Sequence, residues 1–212
     1  GLCIQCGKCN EVCPGKIDIA GLILELRKRL AEKQGIPFVQ RAIFSVVNNR
    51  RLFHSMLRAA YVGQKPFVEN GYIRHLPLFL SNITKDRSLF SIAAEPFRDR
   101  FPKIKQPQCT EKASFYAGCL MDFGYPGMGE ALVRILNKAG IEVVFSEKQT
   151  CCGAPARISG ATDVAANNAV DNIEALDDPS VKYIVCACPT CTVAPPPRAS
   201  SMIRRCTSTL VP

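Results

Sequence analysis

The sequence predicts an α/β protein in which a cysteine-bearing loop and a helical segment precede a parallel β-α-β-α-β unit. Three observations predict it. Apolar residues recur at helical spacing between residues 19 and 30. Beyond residue 113 short apolar, strand-like runs alternate with helical stretches. Nine of the twelve cysteines fall into two tight arrangements, one in the front loop and one at the ends of the three expected strands.

Taken in order, residues 1–14 form a cysteine loop. Asp18 is placed to cap a helix whose apolar stripe is Ile19, Leu22, Ile23, Leu26 and Leu30, closed by Gly35. A second helical stretch is expected over about 38–62, with Phe44, Val47, Phe53, Met56, Leu57 and Tyr61 in the core. Residues 63–107 carry Pro66, Pro77, Pro96, Pro102 and Pro107, which predicts a long, partly irregular connection. His54 and His75 have no ligand-like neighbours in sequence and read as structural or exposed. Then come a strand at Ala113–Ala117, a helix over about 127–139 led by Pro126 and ended by Gly140, and a strand at Ile141–Phe145. A helix at Gly160–Leu176 and a strand at Val181–Cys186 complete the unit. That order implies a parallel sheet with right-handed crossovers. The division expected is 1–35, 36–107, 108–194 and an irregular tail 195–212.

At 212 residues and 47% hydrophobic content, the chain is neither disordered nor fibrous. No apolar run approaches the roughly 18 residues of a membrane-spanning helix, and Gly1, Leu2 and Cys3 show no signal-peptide pattern. Nine of twelve cysteines clustered this way suggest metal ligation in a reducing compartment rather than a secreted disulfide scaffold. The expected location is therefore the cytoplasm, with peripheral attachment to the inner face of the membrane as the alternative. Residues 1–107 carry a net charge of +10 and residues 108–194 a net charge of −4. The basic residues are scattered over helical stretches without a recognition-helix or stacking motif, so nucleic acid is not expected as a partner. A solvated basic face, or a dock for an acidic redox partner or for the rest of a longer polypeptide, accounts for them.

Cys3, Cys6, Cys9, Cys13 and Pro14 spell C-x2-C-x2-C-x3-C-P, a specific signal for a [4Fe–4S] cube. Two residues between thiolates let the loop wrap a cube, and Gly7 lets the backbone pass close to it. A zinc knuckle instead uses separated ligand pairs. In such runs the fourth cysteine often serves the other cluster of a two-cluster module. Cys13 would then ligate a partner cluster, and Gly1 would lie inside a longer polypeptide with a further cysteine run upstream. Closure of a single cube by Cys13, or by Cys109, is the alternative.

Cys119, Cys151-Cys152-Gly153 and Cys188-Pro189-Thr190-Cys191 make C-x31-CC-x35-C-x2-C. Each group falls just beyond the carboxyl end of an expected strand, the edge at which open parallel sheets bind ligands. Cys186 falls within a strand and reads as a packing cysteine; Cys206 falls in the tail, and both are left out of the site. Gly124, Gly127 and Gly129 do not spell a dinucleotide fingerprint and read as the turn into a helix.

The stretches FYAGCLMDFGYPGMGEALVRILNKAGIEVVF, QTCCGAPA and YIVCACPTC resemble the cysteine-rich CCG domain of heterodisulfide reductase subunits, glycolate oxidase iron–sulfur subunits and L-lactate utilisation proteins. With the ferredoxin-type cube motif in front, and with NNRRLFHSMLRAA and IRHLPLFLS between, residues 1–194 resemble the iron–sulfur proteins of bacterial lactate or glycolate oxidation. The resemblance implies a second iron–sulfur site, in some members a noncubane four-iron cluster held by Cys119, Cys151, Cys152, Cys188 and Cys191, with zinc in other proposals. After Ala194 the sequence departs from the family, since Pro195, Pro196 and Pro197 forbid the helix expected there. The implied function is electron transfer within a hydroxy-acid oxidation complex, with other subunits or domains and a redox acceptor as partners. Disulfide cleavage at the CCG cysteines and a zinc-stabilised assembly module are the rivals. No flavin or nicotinamide site is visible, so substrate oxidation is expected elsewhere.

Overall fold

A computed structural model describes Cys3, residues 5–74 and residues 88–193. His75, Cys206 and the tail 195–212 lie outside the described residues.

The front loop runs through a single helical turn, α1 (Lys8–Glu11), entered by Gly7 at a left-handed φ of 77°. It leads into α2 (Ile19–Gln34), capped as the sequence predicts by Asp18, whose carboxylate accepts from the Gly21 amide at 2.9 Å. Of the expected apolar stripe of α2, Ile19 and Ile23 are half-buried. Leu22, Leu26 and Leu30 are exposed, while Arg27 and Ala31 meet Gly160. A close backbone approach seats this side: a Cβ on Gly160 would lie 2.6 Å from the Arg27 carbonyl and 2.9 Å from the Ala31 methyl, so position 160 has room only for glycine.

The helical stretch expected over about 38–62 is made of two helices, α3 (Phe38–Asn48) and α4 (Arg50–Gln64). Asn49 adopts an extended conformation between them and caps α4 through its side chain, which accepts from the Leu52 amide at 3.1 Å. Of the core residues expected here Phe44 is buried, packing on Ala156 and Ala161, whereas Met56 is exposed. The described parts of the connection hold a small antiparallel sheet, β1 (Val68–Glu69), β2 (Tyr72–Ile73) and β3 (Leu89–Phe90), with β2 central. Asn70 and Gly71, both at positive φ, form the tight turn between β1 and β2. A short helix α5 (Phe97–Arg100) follows.

The second half is built on a parallel sheet of β4 (Glu111–Tyr116), β5 (Ile141–Val144) and β6 (Tyr183–Cys186) in the order β5-β4-β6. The predicted parallel β-α-β-α-β order is therefore present. Between β4 and β5 the chain makes a π-turn (Leu120–Gly124) and α6 (Pro126–Lys138); between β5 and β6 it makes α7 (Ala154–Ile158) and α8 (Thr162–Leu176). A five-residue helix α9 (Pro189–Val193) follows β6. Phe97 of α5 is fully buried in the main core, edge-on to Phe115 and Phe145 with ring centres 5.2 and 5.1 Å away. Gly129 packs against that ring, where a Cβ would sit 2.6 Å from it, so its role is helix packing rather than the expected turn.

Candidate metal centre at the sheet edge

The central strand β4 ends at Tyr116, and its two outer neighbours end at Val144 and Cys186. Beyond these three ends stand Cys119, the Cys151-Cys152 pair and the Cys188/Cys191 pair. A parallel sheet fans its loops outward at the point where crossovers leave in opposite directions, and this sheet does so on either side of β4. The sulfurs adjoin one another in series. Cys119 Sγ lies 3.9 Å from Cys151 Sγ, and the Cys151, Cys152 and Cys191 thiols stand near enough to shift one another's ionisation. Cys188 and Cys191 are buried and pack with Tyr116 and Cys152. Among the described residues no group of three or more His, Cys, Asp or Glu side chains stands at metal-ligand spacing, so the sulfurs adjoin without forming a closed polyhedron.

Backbone and polar side chains hold this arrangement in place. Gly118, at a left-handed φ of 59°, leaves room for sulfur: a Cβ there would lie 2.9 Å from Cys191 Sγ. Gln149 is 1% exposed and fastens the CCG loop to the end of β4. Its Nε2 donates to the Phe115 and Ser146 carbonyls at 3.0 Å each, and its Oε1 accepts from the Ala117 amide at 2.8 Å. Asn172 on α8 accepts from the Thr150 amide at 2.8 Å and donates to the Cys151 carbonyl at 3.0 Å. Tyr116 forms the floor and donates its hydroxyl proton to the Thr150 carbonyl at 3.2 Å. Gly153 lies against α8, with the Ala165 Cα where a Cβ would need to go, at 2.8 Å.

Proximity governs the ionisation of these thiols. The hydrogen bond with Cys119 pushes Cys151 up to about 12, and the bond with Cys151 pushes Cys152 up to about 11. Hydrogen bonds with Cys152 and Cys186 raise Cys191, while the bond with Cys151 lowers Cys119. Four neighbouring sulfurs cannot all become thiolates without a compensating cation. A soft, all-thiolate donor set over a glycine cradle fits an iron–sulfur cluster and also fits zinc.

Cys186, read from the sequence as a packing cysteine, belongs to this neighbourhood. It packs against the Cys188/Cys191 cluster, and its Sγ lies 3.5 Å from the Cys188 carbonyl. The legible signal is its register: Cys186 is paired with Tyr116 across the sheet.

A narrow crevice beside Cys119 is lined also by Gly118, Gln149, Thr150, Asp122, Phe123, Arg98 and His54. Sequence spacing alone places no such neighbours beside His54. Arg98 Nε donates to Asp122 Oδ2 at 2.7 Å, its amide donates to Oδ1 at 3.0 Å, and its Nη1 donates to His54 Nδ1 at 3.0 Å. Since Arg has no acceptor, His54 accepts at Nδ1 and carries its proton at Nε2 when neutral. Burial, then the charges of Arg98, Arg50 and Arg58, lower its pKa to about 3. Below its ordinary 6.5 the unfolded chain takes up a proton that the folded chain refuses until about pH 3. Stability contributed at neutral pH is therefore lost as pH falls through that window. Urea unfolding should show a smaller loss between pH 7 and pH 4 in His54→Asn than in the wild type; equal losses would exclude His54 as the cause.

At the front loop Cys3, Cys9 and Cys13 are half-buried and Cys6 is exposed. Gln5 Nε2 reaches Cys3 Sγ at 3.3 Å and the Ala20 carbonyl at 3.1 Å. Asn10 bridges the loop to the start of α2, donating to Asp18 at 2.6 Å and accepting from the Ala20 amide at 3.0 Å. The loop's spacing and all-sulfur donors fit a cube, with Gly7 leaving open space on its Cβ side. Cys109 lies in a separate loop, its Sγ 3.7 Å from the Pro107 carbonyl.

Residues 113–194 match the CCG family, described as a cysteine-rich domain. The chain is 28% identical to an uncharacterized iron-sulfur protein of Methanocaldococcus jannaschii over 89% of its own length and 32% of the relative's. It is 27% identical to one of the subunits of the fumarate reductase (CoM/CoB) of Methanothermobacter marburgensis over 87% of its length and 30% of that protein's. It is 39% identical to lactate utilization protein A 2 of Bacillus cereus over 38% of its length and 32% of that protein's. The chain thus spans about a third of the length of these curated relatives. No solved structure matches. Among the described residues no helix is long and apolar enough to cross a membrane.

Proposed function

We propose that this chain is an electron-transfer component of an oxidoreductase, with a four-iron cube at Cys3, Cys6, Cys9 and Cys13 and a second iron–sulfur site at Cys119, Cys151, Cys152, Cys188 and Cys191. The observation that carries the reading is the convergence of sulfurs from three strand ends, with Cys119, Cys151, Cys152 and Cys191 adjoining in series. Clusters bound at the two nests would supply one-electron chemistry. The chain's own contribution is to fix the thiolates and to exclude water. Tyr116 and α8 bury the second nest, while Gln149 and Asn172 immobilise the backbone on either side of Thr150. Such fixed, dry surroundings tune the potential of a site without moving ligands.

The substrate context we propose is oxidation of a 2-hydroxy acid, lactate or glycolate, on a partner protein. Its support is the likeness to lactate utilization protein A 2, which extends over 38% of the chain. The crevice beside Cys119 favours a second reading, in which the second nest cleaves a disulfide. His54 and Arg98 line that crevice and give a polar approach to one sulfur of the nest. The two readings separate in one experiment. Anaerobically prepared, dithionite-reduced protein is mixed with the components of a lactate-oxidising system or with a mixed thiol disulfide. Reoxidation coupled to the lactate-system components is the expected result. Stoichiometric release of two thiols from the disulfide, without coupling to those components, would install the second reading.

A further inference from the structure

Arg27 occupies a position that neither cysteine motif explains. It sits mid-way along α2, and its guanidinium donates in two directions. Nη2 donates to the carbonyl of Cys3 at 2.9 Å, and Nη1 donates to the carbonyl of Ile158 at 3.1 Å. Cys3 opens the front cysteine motif. Ile158 ends α7, the helix that begins two residues after Cys152. One side chain therefore joins the backbones that carry the two nests, with Arg27 and Ile158 themselves 131 residues apart in sequence. The five residues of α7 rise only about 7 Å along the helix axis. The route from Cys3 through the guanidinium to the CCG loop is consequently short.

The packing beneath Arg27 fixes the same geometry from the other side. Gly160 has a φ of 92° and lies under the Arg27 carbonyl with no room for a Cβ. Leu22, Leu26 and Leu30 of α2 are exposed, while Arg27 and Ala31 meet Gly160, so this side of the helix is seated by contact distance and by the Arg27 fork. An arginine suits the task, since its planar fork serves two carbonyls at once whereas a lysine serves one firmly.

We propose that Arg27 is a positioning residue that holds the front cysteine loop against the CCG loop and so forms the electron route between the two nests. The proposal rests on the function proposed above and goes beyond it by naming the link. One electron at a time passes along this route; the front site is oxidised, the second site is reduced, no bond forms or breaks, and dithionite is the external reductant.

The test uses the full chain loaded anaerobically with iron and sulfide, as wild type and as Arg27→Gln, Arg27→Lys and Gly160→Ala. Three readouts are taken: iron content, spin–spin splitting between the two sites on reduction, and hydrogen exchange of the amides of residues 5–13. Arg27→Gln is expected to keep iron at both sites, to lose the splitting and to lose exchange protection in the front loop. Gly160→Ala is expected to do the same without any change of charge, and Arg27→Lys to restore part of both signals. Full wild-type splitting and protection in Arg27→Gln would overturn the proposal. Should Arg27→Gln not fold, unchanged signals in Arg27→Lys would overturn it equally. If wild type loads fewer than two sites, the function proposed above fails, and the exchange measurement on the same variants still decides whether Arg27 holds the loop.

Discussion

Replacing Cys152 with serine is expected to remove roughly half of the bound iron, the share of one four-iron cluster in two, while the front cube stays loaded. Cys152 stands between Cys151 and Cys191 in the series: both shift its ionisation, and it sits in the loop that Gln149 and Asn172 hold rigid. A serine oxygen is harder and shorter, and a soft iron–sulfur site binds it poorly. The loss should be confined to the second nest, because the sulfurs of the series bond to one another and not to those of the front loop. Cys109→Ser is the matched control. Cys109 lies in its own loop against the Pro107 carbonyl, and its replacement should leave iron content and the signals of both sites unchanged. Loss of the front cube's iron in Cys109→Ser would instead make Cys109 its fourth ligand. Iron and sulfide analysis of the three proteins decides.

Breaking the buried pair of Arg98 and Asp122 is expected to cost about 3–5 kcal/mol of folding stability. Asp122 is 1% exposed, and Arg98 is held by it through Nε and Nη2, at 2.7 and 2.5 Å, besides the amide contact. Asp122→Asn removes the charge and leaves a buried guanidinium without its counter-ion. The same Arg98 also serves His54 and the Glu147 carbonyl, at 3.0 and 3.2 Å. It therefore ties α4, α5, the π-turn and the segment before the CCG together, and the variant should loosen the wall of the crevice as well as the fold. The double variant Arg98→Met, Asp122→Leu should recover part of the loss, because removing both charges removes the desolvation penalty with the attraction. Denaturant unfolding of the single and double variants checks it; a single Asp122→Asn effect below about 1 kcal/mol, the range of exposed pairs, would mean that the pair is hydrated.

The parts of the molecule that are legible in the sequence are those set by local chemistry. Asp18 before an apolar run marks a helix start by its side-chain acceptor alone, and the alternation of strand-like and helical stretches after residue 113 leaves a parallel sheet as the economical arrangement. Cysteines placed just past each strand must meet at one edge once the strands are parallel. What is not legible depends on contacts between distant stretches. Leu22, Leu26 and Leu30 have the spacing of a buried face, but a glycine more than a hundred residues away sets Arg27 and Ala31 against it instead. Asn49 breaks a long helical pattern because its side chain offers a better cap than a mid-helix residue could use. His54 looks solitary in sequence because its partners, Arg98 and Phe123, come from other elements. Gln149 is polar and loop-borne by sequence, and only the fold shows it clamping the end of β4.

The most direct test of two iron-holding nests is the iron, acid-labile sulfide and zinc content of the anaerobically prepared chain, taken with its paramagnetic resonance after reduction. Iron and sulfide in amounts that fill both nests, with two distinct reduced signals, is the result predicted. Zinc without iron on residues 108–194 would contradict it and leave the second nest a structural site.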